Sequence, residues 1–368
     1  MNFIFFIVFT LCSMTTSYAE FLYPVATYTD SDHSQNLLVL YQKTGTTLEL
    51  WSWDPVTHVA TKMLPSSFCP AGVALLPSGK GFSFIDNGRI RIKEFIKRSA
   101  RSIDIPYGVS AIGPVTWHEN GLGYFHALCN RHYALFSITP YGDVDRCLAQ
   151  AKTDRMYPSW FKESLFYIER TDSQQLPCQY RIIEQRLPDT EPQNAPQICV
   201  DFDNRPIIFL TMISADEGFF LEHASKIDMA ESTITFLYHQ FVRHDKNSWR
   251  TRHLFSFSIP STLLDNASDT HVYESIIPLL PRVYDSMVYY VDAYALGMSL
   301  CTYNLVTNTK ESVVIPYNSD FPFVPIKCNS LLFFGGCICR GILEAKRTPS
   351  IYIDQDNTYC FSLPCIGQ

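Results

Sequence analysis

Pro77-Ser78-Gly79-Lys80-Gly81 runs straight into Phe82-Ser83-Phe84-Ile85, and the same phrase returns along the chain. Trp117-His118-Glu119-Asn120-Gly121 leads into LGYF, and Trp160-Phe161-Lys162-Glu163-Ser164 leads into LFYI. Ala215-Asp216-Glu217-Gly218 leads into FFLE, Val283-Tyr284-Asp285-Ser286 into MVYYV, and Ile326-Lys327-Cys328-Asn329-Ser330 into LLFF, while Gln35-Asn36 precedes LLVLY. Each phrase is a tight turn of small and polar residues followed by a strand of aromatic and branched ones. Anchored on Asn36, Gly79, Gly121, Ser164, Gly218, Ser286 and Ser330, the intervals are 43, 42, 43, 54, 68 and 44 residues.

A recurrence of about 40 to 45 residues with four strands per unit is the period of a β-propeller. The chain is therefore expected to be all-β, a propeller of about seven four-stranded blades, with six or eight as alternatives. The stretch from 70 to 106 shows the parts. Gly72 to Leu76 and Phe82 to Ile85 are two strands, Asn87-Gly88 is a hairpin turn, and Arg89 to Ile96 and Arg101 to Ile105 complete the unit before Pro106. The second strands are nearly unbroken apolar runs, as strands covered on both faces are. The long interval before Ser286 holds two further strand-like runs, Thr233 to Val242 and Arg252 to Ile259. They are read as an insertion within about 225–270 of an elaborated blade, either a carrier of a binding surface, as such insertions often are, or an inert loop. Phe21 to Val25 is read as an edge strand for the last blade.

The N-terminus opens on a short apolar run, Phe3 to Leu11, followed by small and polar residues and by Ser17-Tyr18-Ala19. That is a signal peptide over 1–19 with cleavage after Ala19, leaving 20–368 as the propeller domain of a secreted or periplasmic protein. The run is shorter than the roughly 20 residues a membrane helix needs, and no later run replaces it. Twelve cysteines in an exported chain imply some pairing. Cys178 and Cys199 flank the turn-rich stretch from Pro188 to Pro196 and are the first disulfide candidates; Cys129 with Cys147 is the second. Removal of Cys12 leaves an odd number. Cys337-x-Cys339 lacks the CxxC spacing of a zinc site.

The net charge of −7 argues against a nucleic-acid partner. The one basic stretch, Arg89, Arg91, Lys93, Lys97, Arg98 and Arg101, alternates with Ile90, Ile92 and Phe95 and reads as the solvent face of an outer strand. There is no G-x-S-x-G elbow and no P-loop. His118, His126 and His132 share one repeat, but a turn around Asn130-Arg131 separates the last two, so they are read as structural. Asp216, Glu217, Asp285 and Asp292 are the acids that a propeller hydrolase would place in its channel. Three of them sit at the inter-strand turn, where backbone geometry alone favours acids. No catalytic residue, cofactor or metal ligand is assigned.

Pro114-Val115-Thr116-Trp117-His118-Glu119-Asn120-Gly121 and Pro158-Ser159-Trp160-Phe161-Lys162-Glu163-Ser164, with Leu76 to Phe82 in part, follow the pattern P-x-W-S-P-D-G-K-x-I-A-F. This resembles the PD40 (WD40-like) repeats of TolB-type propellers. The resemblance implies export and a protein-binding scaffold. The alternative reading is a secreted glycosidase- or lactonase-like hydrolase with acids in the central channel.

Overall fold

The computed structural model describes residues 18–29, 35–43, 49–54, 60–65, 68, 71–110, 112–146, 153–171, 178–186, 196–203, 205–228, 233–245, 248–260, 280–284, 286–294, 297–315, 326–328, 331–333, 336–340, 350–353 and 358–361. Among them there is no helix; the strands form seven antiparallel sheets. This is the all-β propeller that the repeat predicts. The chain packs as two compact units, Pro70–Tyr317 and Met1–Cys69 with Asn318–Gln368.

The larger unit holds five successive four-stranded blades. The second blade comprises Ala71–Leu75, Gly81–Asp86, Arg89–Glu94 and Arg101–Ser102. The third comprises Thr116–Trp117, Gly123–Cys129, His132–Ile138 and Val144–Arg146, with Val109–Ser110 paired to the far end of its second strand. The fourth comprises Asp154–Phe161, Ser164–Arg170, Gln179–Arg186 and Gln197–Asp203. The fifth comprises Ile207–Met212, Glu217–Asp228, Thr233–Asp245 and Ser248–Pro260. The sixth comprises Arg282–Tyr284, Met287–Tyr294, Gly297–Asn304 and Thr309–Ile315. Asn87 and Gly88 both take positive φ, 50° and 70°, so the hairpin turn read from the sequence is present.

The core lies between blades rather than inside any one of them. Phe125 and Phe136 of the third blade pack with Ile85, Ile90 and Ile92 of the second. Phe166 and Ile182 of the fourth pack with Phe220 and Phe241 of the fifth, and Phe255 and Phe257 of the fifth with Tyr290 of the sixth. All six residues of Gly81–Asp86 are buried, as the unbroken apolar run of a second strand implies. In the third and fourth blades the tryptophan of the repeat phrase fastens the blade to the one before it. Trp117 Nε1 donates to Ser83 Oγ at 2.8 Å, and Trp160 stacks on Tyr124 at 5.1 Å. Further hydrogen bonds join successive blades: Thr116 Oγ1 donates to the Pro158 carbonyl (2.9 Å), and the Met212 N–H donates to Ser159 Oγ (3.0 Å).

Three readings change. Thr233 to Val242 and Arg252 to Ile259 are the fifth blade's own third and fourth strands, lengthened to 13 residues each; residues 261–279 lie outside the described residues. In the smaller unit, Phe21 to Val25 belongs to Tyr18–Thr29, which pairs with Gln35–Lys43 in the first blade. That blade continues through Glu49–Trp53 and Ala60–Lys62 and gains Gly336–Arg340 on its other side, from within the last repeat. The seventh sheet comprises Ile326–Cys328, Leu331–Phe333, Ser350–Ile353 and Thr358–Phe361. In the basic stretch, Lys93 is buried rather than solvated, its Nζ donating to the carbonyls of Glu94 (2.6 Å) and Lys97.

Candidate functional site

The first strands of four blades in the larger unit bound a cavity of about 420 Å³. Strand alternation decides what faces it. In Ile207–Met212, Leu210 and Met212 turn into the core, while Phe209 and Thr211 line the cavity. Leu280 and Pro281 are buried immediately before Arg282, so that strand enters at a fixed position with Arg282 and Tyr284 on the cavity wall. Val73, Pro114, Thr116, Ile213 and Val283 supply further wall. Arg282 is the one charged residue among the described residues lining the cavity. Burial pulls its guanidinium pKa down, and the hydrogen bond with Tyr284 opposes that. A guanidinium so perturbed is still a cation at neutral pH.

Of the acids weighed as hydrolase residues, the three that are described, Asp216, Glu217 and Asp292, do not line this cavity. Asp216 is exposed at its turn and pairs with Arg243 at 2.9 Å. Arg243 in turn reaches Glu184 of the fourth blade at 2.6 Å and lies over the Trp249 ring. Glu217 accepts from Gln240. Asp292 accepts from the Ser258 N–H at 2.8 Å and from Lys310 at 3.4 Å, tying the sixth blade to the fifth. Asp285 lies outside the described residues. The three histidines of the third blade also stay apart. His118 packs edge-on against Trp160, His126 is buried, and His132 Nδ1 stands 3.3 Å from Asp154. No group of three His, Cys, Asp or Glu side chains that could hold a metal occurs among the described residues.

A buried titratable group that the sequence did not reveal lies in the fifth blade. His239 Nε2 stands 2.9 Å from Glu222 Oε2, both side chains 7% exposed, although neither atom has a conventional hydrogen bond. His239 stacks on Phe220 at 4.8 Å and meets the His253 ring at 5.3 Å. Burial lowers the His239 pKa to about 4, with His253 and Arg205 adding to the shift; burial raises that of Glu222.

The strand register does not bring Cys178 and Cys199 together. Cys178, Cys199 and Cys129 carry free thiols, and Cys147 lies outside the described residues. The ladder pairs Gln179 with Asp203 and Ile182 with Val200, which leaves Cys199 about four residues further along than Cys178. At about 3.3 Å per residue that offset far exceeds the roughly 7 Å limit for a disulfide. Burial raises the Cys199 thiol pKa well above its usual value. Ala19 stands in the strand Tyr18–Thr29 opposite Cys339; a cut after it leaves the rungs from Glu20 to Leu22 in place.

No protein-family model matches the sequence, and no curated protein matches it. Solved structures do match the fold. A puromycin-hydrolysing peptidase from Mycobacterium tuberculosis superposes with a TM-score of 0.58 at 10% identity, covering 94% of this chain and 54% of the peptidase. This chain thus spans about half the length of that protein. An oligogalacturonate lyase from Vibrio parahaemolyticus gives 0.55 at 8% identity, covering 83% and 84% of the two chains. TolB from Acinetobacter baumannii gives 0.47 at 10% identity, covering 82% of this chain and 64% of TolB. At such identities the likeness is one of fold.

Proposed function

We propose that this chain is an exported β-propeller that serves as a binding scaffold for a protein partner. The observation that carries the reading is the composition of the cavity. Its described walls hold apolar residues, hydroxyls and one arginine, but no acid or histidine that could move a proton during hydrolysis. The acids considered for that role, where described, are engaged in pairs that hold blades and turns together. Large apolar side chains stand in solvent on the connections of the second and third blades, namely Ile96, Tyr107 and Tyr141, the last 82% exposed. Export rests on the signal-peptide pattern ending at Ala19.

The test begins with N-terminal sequencing of the chain recovered from the envelope or medium, which should start at Glu20. Cross-linking there should yield one reproducible partner that rebinds the purified chain, and Ile96→Ser or Tyr141→Ser should weaken that complex. Turnover of a sugar, lactone or peptide substrate, with no partner that rebinds, would replace the scaffold reading with the hydrolase one.

A further inference from the structure

We infer that the cavity bounded by the first strands takes a ligand bearing one carboxylate on a small apolar body, with Arg282 as its anchor. The inference goes beyond the scaffold reading, because a protein partner can dock on the blade connections without entering the cavity.

Several arginines elsewhere in this unit meet acids, while Arg101 donates to the carbonyls of Pro140 and Tyr141 and Arg252 to Asn308 and Gln240. Arg91 pairs with Asp86, Arg155 with Glu169, Arg170 with Asp154, Arg181 with Asp201, and Arg243 with Glu184. Arg282 has no carboxylate partner among the described residues; its hydrogen bond is to Tyr284. Arg282 is half-buried on the cavity wall; a cation partly withdrawn from water without a counter-charge is disfavoured, and an incoming anion offsets that cost. The planar guanidinium also offers two parallel N–H groups to a carboxylate.

The remaining walls narrow the class. One cation balances one negative charge, which favours a carboxylate over a phosphate dianion. Thr116 spends its hydroxyl proton on the Pro158 carbonyl, so Thr211 is the threonine able to donate to a carboxylate oxygen. Val73, Pro114, Phe209 and Val283 make the rest apolar, a surface that repays an apolar ligand body. A volume of about 420 Å³ suits a small molecule or the last two residues of a peptide. Both a free organic acid and a peptide C-terminus present this group.

The experiment is calorimetric titration of the full purified chain with two acid–amide pairs: 4-phenylbutyrate and its amide, and N-acetyl-Ala-Leu and its C-terminal amide. At least one acid should bind about tenfold or more tightly than its amide, the scale of a charged hydrogen bond. Which acid binds distinguishes the two sources. Arg282→Gln should abolish the preference, Arg282→Lys should keep part of it, and Thr211→Val should weaken the acid more than the amide. A preference below tenfold in both pairs, no binding at millimolar concentration, or a preference that survives in folded Arg282→Gln overturns the inference. If Arg282→Gln does not fold, Thr211→Val decides: acid and amide weakened equally would overturn it. Capture of a partner protein does not bear on any of these results.

Discussion

Acidification should weaken the fold through His126. Its ring is buried in the third blade between Tyr133 at 5.7 Å and Tyr157 at 4.9 Å, and the residue is 5% exposed. The Tyr157 N–H donates to Nδ1 at 3.3 Å, so that nitrogen is an acceptor and protonating it forfeits the bond. Gly113 faces the ring so closely that a Cβ there would fall 2.1 Å from Cε1. Burial lowers the pKa from 6.5 to about 3. The folded pKa thus lies below the unfolded one, and the unfolded chain takes up the proton first. The stability this group contributes is complete above about pH 6.5 and is lost as pH falls from there towards 3. At pH 5 the loss is about 1.36 kcal/mol for each of the roughly 1.5 pH units crossed, or about 2 kcal/mol. His239 shifts the same way, but the raised pKa of its neighbour Glu222 acts in the opposite sense, so His126 gives the cleaner readout. Urea unfolding at pH 7 and pH 5 should show the parent chain losing about 2 kcal/mol more than His126→Gln. Equal losses in the two proteins would refute the argument, since a proton would then enter the native site without cost.

Tyr238→Phe should stabilise the protein by about 1–2 kcal/mol, seen as a higher urea midpoint, because the fully buried Tyr238 hydroxyl has no partner among the described residues; a loss of stability would reveal one. Gly81→Ala should cost about 1–3 kcal/mol, since its Cβ would stand 2.4 Å from the Lys93 carbonyl oxygen in the paired strand; an unchanged melting temperature would contradict that register. Cys178 and Cys199 should appear as alkylated free thiols in non-reduced peptide maps after unfolding, with Cys199 unreactive before it; a peptide linking the two would contradict the ladder between their strands.

Much of the fold was legible because turn chemistry and strand burial repeat independently of each other. A small residue before each second strand set the period, and the tryptophans of the phrase turned out to be the side chains that bind one blade to the next. What was not legible is non-local. Uniform blade length is an assumption of a period, so two long strands of the fifth blade looked like an insertion. Gly336–Arg340 alternates as any strand does, and nothing in its own residues says that it pairs with Tyr18–Thr29 rather than with Leu331–Phe333.

The same distinction separates the acids from the arginine. Asp216 and Glu217 attract notice because turns favour acids, and that local preference is also why they are spent on turn and blade contacts. Arg282 follows a proline in a chain with 29 basic residues, and no spacing or neighbour distinguishes it. Its significance arises only where first strands separated by more than two hundred positions, from Val73 to Val283, present their side chains to one space. Cys178 and Cys199 fail for the converse reason. Closeness across a turn suggested a bond, but strand register, which the turn's composition does not specify, set them apart. A propeller therefore shows its scaffold in sequence and conceals its site, since each blade contributes only a few residues to the cavity, from a first strand whose other side chains pack the core.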